Sequence, residues 1–314
     1  MERNRFLAIV AVVIGASAFG FLGLFTRYFM ETRGLSALDT VMIRVMISVI
    51  ILLPILLVFN RSALRISWKD VPVFLLFGLF KFLSDVTLFY SQSKVTLCLA
   101  TLLQMTAPFY VMFISMALFK EKLTLKKMVA LTLSTAGCIM VTGALSGNLS
   151  AEITGVISAM LSGLFFGVFM IGGRVTYLRG IKPEAGLFYT FLVSAIFALP
   201  FVDINGVGGA MMDLEGLFYA LMLGLAMSLV PFYLYTWSAQ HMEPTATSMI
   251  SVLEVVVAAM VGFALFGEDL SLLNIGGMTM VILSIILMNL TIRRGYRKRY
   301  GKYVPPAQRD ANPE

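Results

Sequence analysis

The chain has 314 residues, of which 59% are hydrophobic and 13% are charged, and its mean hydropathy is +0.90. These values lie far outside the range of soluble globular proteins and predict a membrane protein. The formal net charge of +7 indicates membrane orientation rather than nucleic-acid binding, because the basic residues lie in the connections between apolar stretches.

Ten apolar stretches are long enough to cross a hydrocarbon core of about 30 Å, which takes about 20 helical residues. The predicted spans are 6–27, 38–59, 71–92, 96–119, 126–146, 151–173, 185–202, 214–238, 244–266 and 272–292. In the first span, Ala16-Ser17-Ala18 resembles a signal-peptidase site. Because the apolar stretch continues beyond that point, we expect it to be a retained helix.

The two halves of the chain repeat each other. Residues 117–125 (ALFKEKLTL) recur as 264–272 (ALFGEDLSL), and the same offset of 147 residues pairs Phe19 with Phe166. A duplicated unit with an odd number of spans must place its halves upside down relative to each other, an arrangement typical of transporters. The sequence therefore predicts an all-α membrane protein of ten transmembrane helices in two inverted five-helix repeats. The predicted units are a first repeat, 1–147, a second repeat, 148–292, and a basic cytoplasmic tail, 293–314.

Lys and Arg side chains are retained on the cytoplasmic side of a membrane. Basic residues are concentrated in the connections after the second, fourth and sixth spans and in the tail, and Arg174 and Arg179 are assigned to the third of these connections. The predicted outer segments hold only Arg27, Arg33 and Lys94. We therefore expect both termini to be cytoplasmic in a multi-pass protein of the cell membrane, typical of a prokaryotic plasma membrane.

Four ionisable residues lie well inside predicted spans, away from the span ends, where each costs about 2.5 to 3.5 kcal/mol near the helix centre and needs compensation. Lys81 and Asp85 are one helical turn apart. They either neutralise each other as an ion pair or line a hydrated cavity in which Lys81 faces an anionic group of a solute. Arg44 is either a structural clamp on a carboxylate or carbonyl, or a contact for a substrate.

Glu254 lies close to the predicted midplane of the ninth span. A carboxylate at such a depth can take up and release a proton as access alternates, which makes Glu254 the candidate for proton coupling. The alternative is a structural partner for Arg44 or Lys81. Gln104 needs a hydrogen-bond partner at its depth. Further candidates for substrate binding are the amphipathic rings of Tyr90 and Trp237, which an aromatic belt at the membrane interface would also explain.

Among the prolines within predicted spans, two are candidate helix kinks, Pro108 in the fourth span and Pro231 in the eighth. Each removes a backbone hydrogen bond and predicts a helix kink, with a freed carbonyl that needs a neighbouring helix or a cavity. Glycines at four-residue spacing, such as Gly163 and Gly167, predict close helix packing. The lone histidine, His241, is assigned to a connection.

The duplicated unit, Arg44 near the start of the second span, Pro108 within the fourth, and the Glu-x-Leu-x-Leu hairpins beginning at Glu121 and Glu268 resemble the drug/metabolite transporter superfamily. Within it, the chain is similar to ten-helix proteins of the EamA type. This resemblance implies alternating access around a central cavity built from the first four helices of each half. One departure is Glu254-Val255, where similar proteins often have Glu-Pro in the ninth span.

We therefore expect a secondary transporter that exports or exchanges a small amphipathic, amino-acid-like metabolite, with proton coupling as an option. The alternative on the same scaffold is a flippase for lipid headgroups or lipid carriers. No enzymatic, nucleotide-binding or metal-ligand motif is present, so neither an enzyme nor a cofactor or metal is expected. The expected partners are a small-molecule substrate and the lipid bilayer, without nucleic acid, and a homodimer is left open.

Overall fold

The structure, a computed structural model, describes residues 2–95, 97–141, 152–266 and 271–299, with side chains described outside 2–3, 62, 97–98, 262, 265–266 and 288–299. The described part is helical and contains no β-sheet. Its α-helices are α1 Glu2–Phe19, α2 Leu22–Arg27, α3 Ala37–Phe59, α4 Val71–Lys94, α5 Leu97–Gln104, α6 Ala107–Phe119, α7 Leu125–Val141, α8 Ile153–Leu178, α9 Pro183–Ala198, α10 Ile204–Ala210, α11 Leu214–Leu221, α12 Val230–His241, α13 Pro244–Ser251, α14 Leu253–Phe266 and α15 Leu272–Arg299.

Within the described residues, eight helical segments are long and apolar enough to cross a membrane. They are Asn4–Thr32, Ala37–Phe59, Val71–Lys94, Leu99–Phe119, Ile153–Leu178, Pro183–Phe201, Leu214–His241 and Pro244–Val261. The other two predicted spans correspond to α7 and α15, which pack along each other. Their backbones meet at two glycines: a Cβ atom added to Gly137 would lie 2.8 Å from the carbonyl oxygen of Gly277.

Two predicted boundaries were wrong. The first span does not end at residue 27, because a π-helical segment, Tyr28–Thr32, continues directly from α2. The sixth span extends beyond residue 173 to the end of α8, so Arg174 is a helical residue and not part of the connection. Arg174 is buried, and its Nη1 donates to the carbonyl of Gln240 at 3.4 Å. The boundary prediction placed Arg174 in a connection because the residue is charged, but its side chain is buried and binds the last turn of the neighbouring helix α12.

The fourth and ninth spans are each interrupted at the same place in the repeat. In the fourth, α5 and α6 are separated by residues 105–106, and the 147-residue offset places the equivalent position at 252–253, where α13 gives way to α14. Pro108 accounts for the first interruption. The ninth span has no proline there, but the hydroxyl of Ser251 donates to the carbonyl of Ser248 at 2.7 Å. Serine hydroxyls that bond back to the preceding turn bend helices.

Contacts between the halves come in equivalent pairs. Helix α4 packs along α8, and α1 packs along α12, which is the same contact with the halves exchanged. The buried apolar core runs continuously through both halves. The connections also meet across the halves. At one end of the bundle, Arg179 Nη1 lies 3.1 Å from Asp70 Oδ1; at the other end, Arg33 Nη2 lies 2.5 Å from Asp213 Oδ2. Helices from both halves therefore surround a common centre.

Candidate functional site

The centre of the bundle holds one carboxylate between two cations. Helix α3 supplies Arg44, whose Nη1 donates to Asp85 Oδ1 at 3.1 Å, and α4 supplies Lys81, which forms an ion pair with the other oxygen, Oδ2. All three side chains are buried: Arg44 is 2% exposed, Lys81 0% and Asp85 4%. The predicted pairing of Lys81 with Asp85 is present, and the clamp predicted for Arg44 is on the same carboxylate. These three groups carry one more positive than negative charge.

Arg44 is held from a second direction by a carbonyl that a proline has freed. Pro231 has no N–H to donate to the carbonyl of Met227 four residues earlier. Met227 lies in the π-helical segment Met222–Leu229, directly before α12, and its carbonyl accepts from Arg44 Nη2 at 3.3 Å. The carbonyl of Met227 therefore holds the guanidinium of Arg44 toward the eighth span. Arg44 Nε is buried and has no hydrogen-bond partner within the described residues.

Aromatic rings pack against both cations. The ring of Phe232 has its centroid 4.6 Å from Lys81 Nζ and 5.2 Å from Arg44 Cζ, so one ring serves both charges. Such cation–π contacts contribute about 2 kcal/mol when the cation is desolvated. Phe19 lies 5.6 Å from Arg44, and Phe191 lies 5.5 Å from Lys81. Aromatic rings thus form part of the surroundings of both cations.

A small cavity of about 20 Å³ adjoins the cluster. This volume has room for about one water molecule. Its lining consists of Phe19, Leu22, Arg44, Asp85, Leu88, Gln104, Phe166, Phe232 and Glu254. Glu254 reaches it from the first turn of α14. Its carboxylate interacts electrostatically with Arg44, but it forms no ion pair within 4.0 Å in the described part of the chain. The predicted direct pairing of Glu254 with Arg44 or Lys81 is therefore not made in this conformation.

Gln104 is the last residue of α5 and borders the cavity beside the helix interruption. Its Nε2 donates to Ser162 Oγ on α8 at 3.0 Å, and Ser162 Oγ donates to the carbonyl of Ser84 on α4 at 2.9 Å. Helix α8 can approach this closely because its next residue is a glycine: a Cβ on Gly163 would lie 2.9 Å from the carbonyl oxygen of Gln104. The predicted packing role of Gly163 is confirmed.

The structure brings together some predicted site residues and separates others. Arg44, Asp85, Gln104 and Glu254 line one cavity, and Lys81 lies behind Asp85. The two aromatic candidates do not line it. Tyr90 is 40% exposed, with its ring 6.0 Å from Lys94 Nζ. Trp237 packs against His241, with ring centroids 4.3 Å apart and the ring planes tilted by 36°. His241 itself is the last residue of α12 rather than part of the following connection.

Sequence reasoning missed Ser162, Leu22, Leu88 and Phe232 as parts of the site. The pairing of Phe19 with Phe166 across the repeat was the available signal for the aromatic lining, because both residues border the cavity. No comparable pattern marks Ser162, which is one of many serines in apolar helices. In the described residues, no group of three or more His, Cys, Asp or Glu side chains could hold a metal ion.

A second buried cluster lies at one end of the bundle. Lys127 Nζ donates to Glu121 Oε2 at 3.0 Å and to Glu243 Oε2 at 2.8 Å, and Thr245 Oγ1 donates to the same oxygen of Glu121 at 2.7 Å. Burial, with a smaller effect from the charge of Glu243, raises the pKa of Glu121 above its ordinary value. The cluster joins the connection before α7 to the connection before α13. The equivalent hairpin residue, Glu268, lies outside the described residues.

The opposite end of the bundle is also bridged. Arg33 Nη2 bonds Asp213 Oδ2 at 2.5 Å and lies 3.7 Å from Glu215 Oε2. The hydrogen bond from Arg33 holds the pKa of Asp213 below its ordinary value. Beside this pair, the rings of Tyr28 and Tyr219 stack with centroids 3.8 Å apart. The halves thus contact each other at both ends, with the cavity between them.

Comparison with known proteins identifies two matched segments. A family model described as the EamA-like transporter family matches residues 6–143 and 153–290. The chain is 24% identical over 277 residues to an uncharacterized transporter of Archaeoglobus fulgidus, covering 88% of this chain and 94% of that protein. A crystal structure superimposes with a TM-score of 0.74 at 16% identity, covering 91% of this chain and 98% of the other. At that identity, the likeness concerns the fold alone.

Proposed function

This chain belongs to the EamA-like transporter family, and from that premise we propose that it moves a small, amphipathic, amino-acid-like solute through the cell membrane by alternating access. It is a membrane transporter with apolar helices surrounding a central polar cluster. Export or exchange of the solute needs no nucleotide, because the driving force is an existing gradient. A cavity bordered by helices of both halves supports this mechanism, since rocking of one half against the other exposes such a cavity to either side.

The proposed class of solute follows from the polar side chains that line the cavity. Arg44 offers an Nε–H donor that has no partner within the described residues. Glu254 offers a carboxylate that forms no ion pair there. Asp85 is already occupied by two cations. Unpaired groups of opposite charge in a desolvated cavity are best satisfied by a ligand that carries both charges. A zwitterion, with an anionic group at Arg44 and a cationic group near Glu254, meets this requirement.

We further propose that residues 1–147 and 148–292 form ten spans as two inverted repeats, with cytoplasmic termini. Arg33 and Arg179 lie in equivalent connections of the two halves. Helix α3 begins beside Arg33 and ends beside Asn60, whose Nδ2 donates to Glu184 Oε1 at 2.7 Å near Arg179. The equivalent connections therefore lie at opposite ends of α3, as inverted halves require. The basic connections at the Arg179 end support a cytoplasmic assignment for that end.

Proton coupling through Glu254 is the part of the proposal with the sharpest test. Purified protein in liposomes is screened with labelled amino acids, with and without an imposed pH gradient. We expect Glu254→Gln to abolish gradient-driven accumulation while exchange of labelled for unlabelled solute is partly retained. The matched control is Glu215→Gln, the same change at an exposed carboxylate, which should leave both activities at wild-type level. Equal loss of accumulation and exchange in Glu254→Gln would contradict a coupling role.

The same liposomes distinguish the carrier from the lipid flippase. Fluorescent phospholipid in the vesicles reports lipid movement as the fraction that an added reductant can reach. We expect that fraction to stay at the value for protein-free vesicles while amino acids are exchanged. Lipid movement without amino-acid exchange would contradict the proposed amino-acid carrier and favour the lipid flippase.

A further inference from the structure

The hydrogen bonds of the Ser162 hydroxyl fix the orientation of the Gln104 side-chain amide. A serine hydroxyl has one proton to donate. Ser162 Oγ lies 2.9 Å from the carbonyl oxygen of Ser84, which can only accept, so the proton is used there. Toward Gln104 the hydroxyl can therefore only accept. The amide atom 3.0 Å away must be the nitrogen, Nε2. The direction of this two-bond relay follows from the carbonyl at its end.

The opposite atom of the amide is consequently directed away from α8. Gln104 borders the cavity, and the side-chain hydrogen bond that it makes among the described residues is donated by Nε2, not accepted by Oε1. Pro108 and Gly163 fix the backbone on either side: Pro108 has no N–H for the carbonyl of Gln104, four residues before it, and Gly163 lets α8 lie against that carbonyl. The amide can neither shift along the helix nor flip without breaking the relay. The relay thus holds the amide oxygen of Gln104 in a fixed orientation on a residue that borders the cavity.

We propose that Ser162 is a positioning residue for solute selection, and that the Gln104 oxygen it orients recognises a primary ammonium group. This inference rests on the proposed function. It assigns to the Gln104 oxygen the task of distinguishing a solute that has both an ammonium group and a carboxylate from a solute that has only the carboxylate. Glu254 lies on the same cavity, and Gln104 supplies a directional acceptor. A ligand without a donor at this position leaves the oxygen unpaired in a desolvated site, which is the costly outcome.

The experiment uses the full chain in liposomes and the amino acid that the wild type exchanges fastest among the twenty. Its uptake is inhibited with an analogue in which hydrogen replaces the ammonium group, so that no donor is left at that position. We expect the wild type to bind the amino acid at least about tenfold more tightly than this analogue, because hydrogen bonds to charged groups discriminate by about that factor. In Ser162→Ala, this ratio should fall about fivefold, through weaker binding of the amino acid alone.

Three variants separate positioning from general damage. Ser162→Thr keeps the hydroxyl and should recover most of the ratio. Gln104→Met removes the acceptor directly and should lower the ratio as Ser162→Ala does, so the inference remains testable if one variant fails to fold. Ser238→Ala is the matched control, because Ser238 is a buried serine whose hydroxyl donates to the carbonyl of Ala8 at 2.9 Å, outside the cavity lining. Its ratio should equal that of the wild type.

Two results would overturn the inference, and they differ from each other. If the wild type exchanges amino acids and both Ser162→Ala and Gln104→Met keep the wild-type ratio within twofold, the relay does not select the solute, while the proposed function stands. If the wild type exchanges no amino acid at all, the solute class is wrong and the inference fails together with the proposed function.

Discussion

Replacement of Asp85 by asparagine tests whether one carboxylate holds two buried cations. In the wild type, Asp85 is bonded to Arg44 on one side and to Lys81 on the other. Asparagine keeps the size of the side chain and removes only its charge. Arg44 and Lys81 would then be two like charges in the interior, without a counter-ion within ion-pair distance in the described part of the chain. We expect Asp85→Asn to be among the most destabilising single changes in the central cluster.

The size of the expected loss of stability follows from the burial of these three charged side chains. Two unit charges about 4 Å apart interact by about 4 kcal/mol at an effective dielectric constant of about 20. Removing one partner of a buried pair typically costs about 3 to 5 kcal/mol, because the remaining charge stays desolvated. Lys81→Met should cost less, since Arg44 and Asp85 remain paired. For a chain of this size, the cost of Asp85→Asn corresponds to a fall in the thermal midpoint on the order of 10 °C.

The assay is thermal unfolding of purified protein in detergent, with the folded fraction read by size-exclusion chromatography. Asp70→Asn is a matched control, because Asp70 Oδ1 lies 3.1 Å from Arg179 Nη1, the same distance as the equivalent atoms of Asp85 and Arg44. The Arg179 side chain is 43% exposed, and such pairs contribute about 0 to 1 kcal/mol. The two asparagine variants therefore differ mainly in burial. If both shift the midpoint equally, or if Lys81→Met lowers it more than Asp85→Asn, the reasoning is refuted.

Two further predictions concern packing and pH. Gly163→Ala places a Cβ 2.9 Å from the carbonyl oxygen of Gln104, which should destabilise the fold by about 1 to 3 kcal/mol and lower the thermal midpoint. The control is Gly209→Ala, whose Cβ would meet nothing within 4 Å and should not lower the midpoint. Equal midpoints for the two variants would contradict the close packing at Gly163. Burial raises the pKa of Glu121 above its ordinary value of 4.5, so the folded protein holds this proton more tightly than the unfolded chain and loses stability as pH rises from about 4.5 through the raised pKa. The difference in midpoint between wild type and Glu121→Gln should change with pH across that window, and a difference independent of pH would contradict the assignment.

The charged half of the site was predictable because charge is rare in apolar helices. Arg44, Lys81, Asp85 and Glu254 stand out in the sequence, since each must be compensated within the bilayer. Helical spacing also predicted the contact between Lys81 and Asp85. The family matched by the chain agrees with the resemblance inferred from the repeat and from the hairpin motif. The sequence therefore allowed prediction of which buried residues are charged and of contacts between residues close together in the same helix.

Long-range neighbours were not predictable, because a helix that is apolar on every side gives no indication of which side meets which partner. Nothing in the sequence indicates that Phe232 lies between two cations, or that Ser162 meets Gln104. The interruption at Val252 was also missed, because the proline that marks its counterpart is absent there. Arg174 shows the opposite error, in which a charge suggested a connection although the side chain is buried within a helix.

The matching interruptions of the fourth and ninth spans have a mechanical consequence. Helix α5 begins at the end of the bundle where Lys94 lies 3.4 Å from Glu152, and α13 begins at the other end, beside Glu243. Each short helix thus runs from one end of the bundle toward its middle and stops at an interruption of the helix. Under the proposed alternating access, we expect the two short helices to tilt one at a time, so that an opening at one end leaves the other end closed.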